Sequence, residues 1–147
     1  GSHTAAAVAG DLRLAAAAVA GGGVVLLDDF PNDLWMGVRE GFYRSLPPLN
    51  VTRPRLVPFL LLCNKLFLTT PAYHGALLSA ALRDRWVAAR VLLEPEASGS
   101  GSTRIAGWPV AVQGGDDLQC SASVTEAFWD DWRQLAADGQ GGSQPRR

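Results

Sequence analysis

The stretch Gly21-Gly22-Gly23-Val24-Val25-Leu26-Leu27-Asp28-Asp29 decides the fold. Glycine tolerates the positive φ of a helix C-cap, so the three glycines end the helix that precedes them. The four apolar residues that follow are continuous and partly β-branched. Such a run predicts a strand covered on both faces rather than an alternating surface strand. Asp28 and Asp29 then fall at its carboxyl end, side by side.

Upstream of the glycines, Val8, Leu12, Ala15 and Val19 recur at spacings of four, three and four, which predicts a helix over 4–20 with Thr4 as its N-cap. Downstream, Pro31-Asn32-Asp33 reads as a turn into a helix on which Leu34, Val38, Phe42 and Leu46 share a face, ended by Pro47 and Pro48. Leu56 to Leu62 is a second strand. Its Pro58 has no amide hydrogen to donate, which predicts a place at a sheet edge. Lys65 to Thr69 follows after only Cys63 and Asn64, so the two strands form an antiparallel hairpin, with Asn64 able to take a positive φ.

Thr70 and Pro71 fit the N-cap and first position of a helix reaching about Arg90, with Leu78, Leu82 and Trp86 inward. Ser98 to Ser102 reads as a flexible connector and 105–112 as one more strand. Ser123 and Glu126 have capping-box spacing at the start of a helix whose stripe is Val124, Phe128, Trp132 and Leu135. The elements amount to half of an open α/β sheet, with one parallel strand, an antiparallel hairpin and flanking helices.

Three segments in order, Gly1-Ser2-His3-Thr4, Asp11-Leu12-Arg13-Leu14 and Gly22 to Phe30, together resemble the C-terminal half of a class I S-adenosylmethionine-dependent methyltransferase. Asn64-Lys65-Leu66-Phe67-Leu68-Thr69 is similar to the last strand of small-molecule O-methyltransferases of that group. The resemblance spans roughly residues 1 to 85. It implies a partial Rossmann-like sheet in which the antiparallel last strand lies beside the strand ending in Asp28, leaving the strand with Pro58 at the edge. It divides the chain into 1–90, the C-terminal half of the methyltransferase domain, 91–138, a strand and helix extension of it, and 139–147, a flexible tail. The family's glycine-rich cofactor loop has no counterpart here, because Gly21 to Gly23 precede a strand instead of following one.

The resemblance implies S-adenosylmethionine as cofactor and a small-molecule acceptor as substrate. In metal-dependent relatives a pair placed like Asp28 and Asp29 binds Mg2+, which would orient and acidify a hydroxyl. The alternative is that Asp29 caps the next turn and Asp28 is solvated. His3 lies where some relatives keep a general base, against the reading of Gly1-Ser2-His3 as a frayed or artificial end. Trp35 and Tyr43 are candidates for a substrate pocket, Phe42 for the core. Lys65 reads as solvated and His74 as a surface residue.

Net charge is −1 and the twelve arginines and single lysine are scattered, which excludes an electrostatic footprint for nucleic acid. No run of about 18 apolar residues offers a membrane span. Cys63 and Cys120 are far apart and form no CxxC pair, which predicts a reducing, cytoplasmic setting without a disulfide. The sole methionine, Met36, suggests that Gly1 lies inside a longer protein. The function expected is therefore O-methylation of a small molecule by the intact form, inactive as this partial chain. The competing expectation is a non-catalytic interaction module, a homo-oligomer formed through an exposed sheet edge. An aspartate phosphotransferase lacks its DxDxT spacing.

Overall fold

The computed structural model describes residues 2–47, 54–89, 91 and 103–112. The connector at 98–102, the capping-box helix after Ser123 and the tail at 139–147 lie outside them, as does most of the 91–138 extension.

Helix α1 spans Ala5–Ala18, capped by Thr4, whose hydroxyl accepts from the Ala7 amide at 3.4 Å. It buries Val8 and Leu12, while Ala15 and Val19 pack partly buried against the same core. The chain reverses through Gly22, at φ 79°, and enters strand β1, Val24–Asp28. A 3-10 turn over Asp33–Trp35 leads into α2, Met36–Ser45, which buries Val38 and Phe42. Leu34, expected on that face, is 84% exposed. It belongs to the 3-10 turn, which is out of phase with the helix that follows.

Strands β2, Val57–Leu62, and β3, Lys65–Thr69, form the expected hairpin. Its two-residue loop has Cys63 at φ 52° and Asn64 at φ 62°. Positive φ at both loop residues matches the right-handed twist of the flanking strands. After a 3-10 turn at Pro71–Tyr73, the expected single helix is two: α3, His74–Arg83, and α4, Arg85–Ala88. Asp84 divides them by accepting from the amides of Trp86 and Val87. Thr70 makes no side-chain cap; its hydroxyl accepts instead from the Gly22 amide, 3.5 Å away.

The four-stranded sheet has the order β1-β3-β2-β6, with β3 antiparallel to both neighbours and β6, Ala111–Val112, parallel to β2. Helices α1 and α2 cover one face around Leu61, Leu66 and Leu68, and α3 and α4 cover the other around Leu60, Leu62 and Phe67. The expected strand over 105–112 is three short pieces. β4, Arg104–Ile105, and β5, Trp108–Pro109, form a tight hairpin through Ala106 and Gly107, both at positive φ, before β6.

Three expectations change. β2 is interior, because β6 pairs with Leu60 and Leu61; Pro58 is accommodated by a bulge between Pro58 and Leu60, short of that pairing. β1 has the open edge that the interaction-module reading expects, with β3 its one partner among the described residues, and what changes is how its faces are covered. Its residues alternate: Val25 and Leu27 pack on the α1 and α2 core, whereas Val24 and Leu26 are each 49% exposed. The helices of the second face pack mainly on β2, so among the described residues one face of β1 is only half covered. Finally, Cys63 is disulfide-bonded. The one other cysteine of the sequence is Cys120, outside the described residues. Separation along the chain is no measure of separation in space, which is why spacing did not suggest a bridge.

Helices α1 and α2 cross closely because α2 carries Gly37 and Gly41. A Cβ at Gly41 would lie 2.6 Å from Val8 Cβ, and one at Gly37 would overlap the His3 carbonyl. Two glycines four apart therefore let α2 sit against the start of α1, and the backbone of His3 is held there. No helix among the described residues is long and apolar enough to cross a membrane.

Candidate functional site

The carboxyl end of β1 is a sharp turn. Asp29 takes φ 57°, an uncommon conformation for a residue with a side chain, and its amide donates to Asp28 Oδ1 at 3.0 Å. Because β3 runs antiparallel beside β1, the hairpin loop 63–64 arrives at this same end, with Lys65 opposite Asp28. The Phe30 amide donates to the Asn64 carbonyl at 3.2 Å, tying turn to hairpin.

Four side chains meet here. The Asn64 amide donates to Asp29 Oδ1 at 2.6 Å, and the Asn32 amide reaches the same oxygen at 3.5 Å. Oδ2 of Asp29 is 3.1 Å from His3 Nε2. The His3 ring stacks on Trp35 with centroids 4.2 Å apart and planes 21° from parallel. His3 is thus a fixed, half-buried residue with a carboxylate and an aromatic partner, not a frayed end. Asp28 points to Lys65 and forms an ion pair with it.

Partial burial pushes the Asp28 carboxyl up, but the hydrogen bond and charge of Lys65, the Asp29 amide and nearby His3 outweigh it. The net effect holds Asp28 below the ordinary aspartate value. Lys65, expected to be solvated, spends its charge on this pair.

A cleft of about 280 Å³ opens between α1 and β1, lined among others by His3, Asp11, Leu12 and Asp28. Consecutive strand residues Val25 to Asp28 line it and none from β3 does, so it follows the outer, unpaired edge of β1. A larger cleft of about 340 Å³ lies between α1, α2 and the start of β2; neither histidine nor either member of the Asp28–Asp29 pair lines it. The chemistry belongs to the smaller one.

Of the residues expected at a site, His3, Asp28, Asp29 and Trp35 come together. Tyr43 does not: it packs edge-on against Phe42, 5.1 Å between centroids, and neither it nor Trp35 lines either cleft. His74 is not at the surface but 6% exposed, with Nε2 placed 3.1 Å from the Pro58 carbonyl and 2.9 Å from the Pro109 carbonyl. Asn64 and Asn32 were not foreseen. The residue type of Asn64 signalled only a turn, and nothing in its neighbours along the chain signalled Asp29.

A hard divalent cation takes about six oxygen ligands. Here one carboxylate holds Lys65 and the other two amides and an imidazole, and among the described residues no group of three His, Cys, Asp or Glu is placed to hold a metal. The residues present do not by themselves make a metal centre. Nor do Gly21 to Gly23 make a cofactor loop. They lead into β1, and a Cβ at Gly22 would meet the Tyr73 ring at 3.2 Å, so this turn packs on protein. Comparison with known proteins adds no neighbour: no family model, no curated protein and no solved structure matches the chain.

Proposed function

We propose that this chain is the acceptor-side half of an S-adenosylmethionine-dependent methyltransferase that methylates an oxygen of a small molecule. The observation that carries the reading is the strand order. β3 is antiparallel and lies between two strands that run the same way, β1 and β2, the order implied by the resemblance. Added support comes from where the polar groups gather, the carboxyl end of β1, since ligands of open α/β sheets bind outside the carboxyl ends of strands.

In this reading His3 takes the proton of an acceptor hydroxyl in the cleft beside β1, and Asp29 stabilises the imidazolium that forms. Trp35 fixes the ring plane. S-adenosylmethionine would supply the methyl group, but methyl transfer needs donor and acceptor held in line, and these residues hold no donor. The chain alone is therefore expected to be inactive. The metal-dependent form implied by the resemblance, with Mg2+ at Asp28 and Asp29, would need a further ligand from a segment upstream of Gly1, since the described residues do not make a metal centre.

The coding sequence upstream of Gly1 tests the reading directly. An acidic residue just before Gly1 and a glycine-rich strand-to-helix turn about a hundred residues earlier are expected; an upstream sequence without that turn sinks it. Calorimetry of the 147-residue chain with S-adenosylmethionine, with and without Mg2+, is expected to show no cofactor binding. Tight binding by this chain alone would contradict the assignment of the cofactor site to another segment.

A second reading, an interaction module that self-associates or recruits a partner, is favoured by one observation: the open edge of β1 carries half-exposed Val24 and Leu26 and no lysine, proline or bulge to guard it. A discrete oligomer in sedimentation, broken by Leu26→Lys, supports it; a monomer refutes it. A cytoplasmic setting goes with the first reading. The Cys63 disulfide opposes that setting, because cytosolic thiols are kept reduced, and counting free thiols in protein from its native source decides it.

A further inference from the structure

We infer that Asn64 is a positioning residue. It holds Asp29 so that the carboxylate fixes the His3 imidazole against Trp35, leaving Nδ1 as the atom that accepts a proton. The role of His3 as a base rests on the function proposed above, whereas the positioning does not.

Asn64 grips the turn after β1 twice, with its carbonyl on the Phe30 amide and its side-chain amide on Asp29 Oδ1. Between these two bonds sits Asp29 in a left-handed conformation that an L residue adopts only under constraint. The Asn32 amide supports the same oxygen from the other side of the turn. With Oδ1 taken by amides, Oδ2 is left for His3. An ionised carboxylate only accepts, so the hydrogen bond requires the proton on His3 Nε2 and leaves Nδ1 with the lone pair in the neutral ring. Trp35 then sets the plane in which that lone pair points.

A turn-forming role alone does not account for this. A two-residue loop with positive φ needs a residue that tolerates the conformation, and glycine meets that need. It does not need a side-chain amide donating at 2.6 Å to a carboxylate of another strand. The hairpin thus does two things: it turns the chain, and it reaches across β1 to set an imidazole that lies far away in sequence.

Asn64→Gly and Asn64→Asp both keep the left-handed turn and both remove the amide donor. In the full chain with isotope-labelled histidine, the ring C–H signals of His3 are expected to carry the ring-current displacement of Trp35, referenced to Trp35→Ala. Both Asn64 variants are expected to lose that displacement while the His74 signals stay in place. His3 signals unchanged in both variants overturn the inference. Should the His74 signals collapse as well, Asp29→Asn provides the same comparison with the hairpin intact; loss of the His3 displacement supports the inference and its retention overturns it. Displaced His3 signals that respond to Asn64, in a protein whose intact form transfers no methyl group, would sink the functional reading and leave the positioning standing.

Discussion

His3 and His74 are the two histidines of this chain, and their surroundings differ in one chemical respect. His74 is buried at the start of α3, its Nε2 between two backbone carbonyls and its ring 5.0 Å from that of Trp108. Carbonyls only accept, so the nitrogen between them must carry the proton. That ring is a tie between α3, β2 and the hairpin of β4 and β5. His3 is partly open to a cleft, and its partner is a side-chain carboxylate, which fixes the tautomer and leaves the other ring nitrogen free of that bond. The comparison teaches that the acceptor and the access to solvent, not the residue type, separate a structural histidine from a chemical one.

The largest effect is expected at the tie. His74→Ala removes a buried ring and strands two carbonyls, at a cost of about 2–4 kcal/mol, read as a large fall in the thermal midpoint. A midpoint unchanged within a degree or two would break the comparison. Next comes Gly37→Ala, whose added methyl overlaps the His3 carbonyl. It is expected to cost about 1–3 kcal/mol by forcing α1 and α2 apart, and to remove the ring-current displacement of His3 at the same time. If stability falls but the His3 signals do not move, the helix crossing is not what seats the histidine. His3→Ala should cost only about 1 kcal/mol or less, because its bond to Asp29 is partly solvated, yet should abolish proton abstraction in the intact form.

The smallest effect concerns Asp28 and Lys65. A carboxyl held below its ordinary value contributes stability that is full at neutral pH and is lost as pH falls through the depressed value. Both groups are more than a third exposed, so that contribution is under about 1 kcal/mol. Lys65→Met is therefore expected to be slightly less stable than the parent at pH 7, with the gap narrowed at an acidic pH below the ordinary aspartate value. Denaturant midpoints at the two pH values measure it, and a gap that widens in acid would reverse the sign of the pairing.

How much was legible follows from which signals are local. The stripe of α1, its Thr4 cap and the hairpin depend on residues within a few positions of one another, and each is found where periodicity and turn chemistry put it; the glycines, expected to stop α1, instead turn the chain after the helix has ended at Ala18 with extended Val19 as its C-cap. Val24 to Leu27 was readable as a strand but not as one with a half-exposed face, because four apolar residues in a row look the same whether or not a helix covers them. Pro58 predicted an edge. A bulge absorbed it instead, a device that depends on the partner strand and leaves no mark in the proline's own surroundings. His74 looked like a surface residue because its partners, Pro58 and Pro109, are 16 and 35 positions away.

The candidate site divides the same way. The acidic pair and the histidine were visible as residue types at a strand end and before a helix. Their grouping with Asn64 and Trp35 was not, since it needs an antiparallel hairpin to return to the end of β1 and two glycines to bring α2 against α1.

By itself the sequence determined α1, β1, α2 and the β2–β3 hairpin, their order and the end of the strand at which polar side chains collect, because hydrophobic period and backbone preference act over a few residues. Tertiary structure alone decided the rest. It made Asp29 the partner of His3 and not only a strand-end acid, it buried His74, and it left Val24 and Leu26 of β1 half exposed. Hydrogen bonds between groups far apart in sequence form only once packing has brought them within about 3 Å.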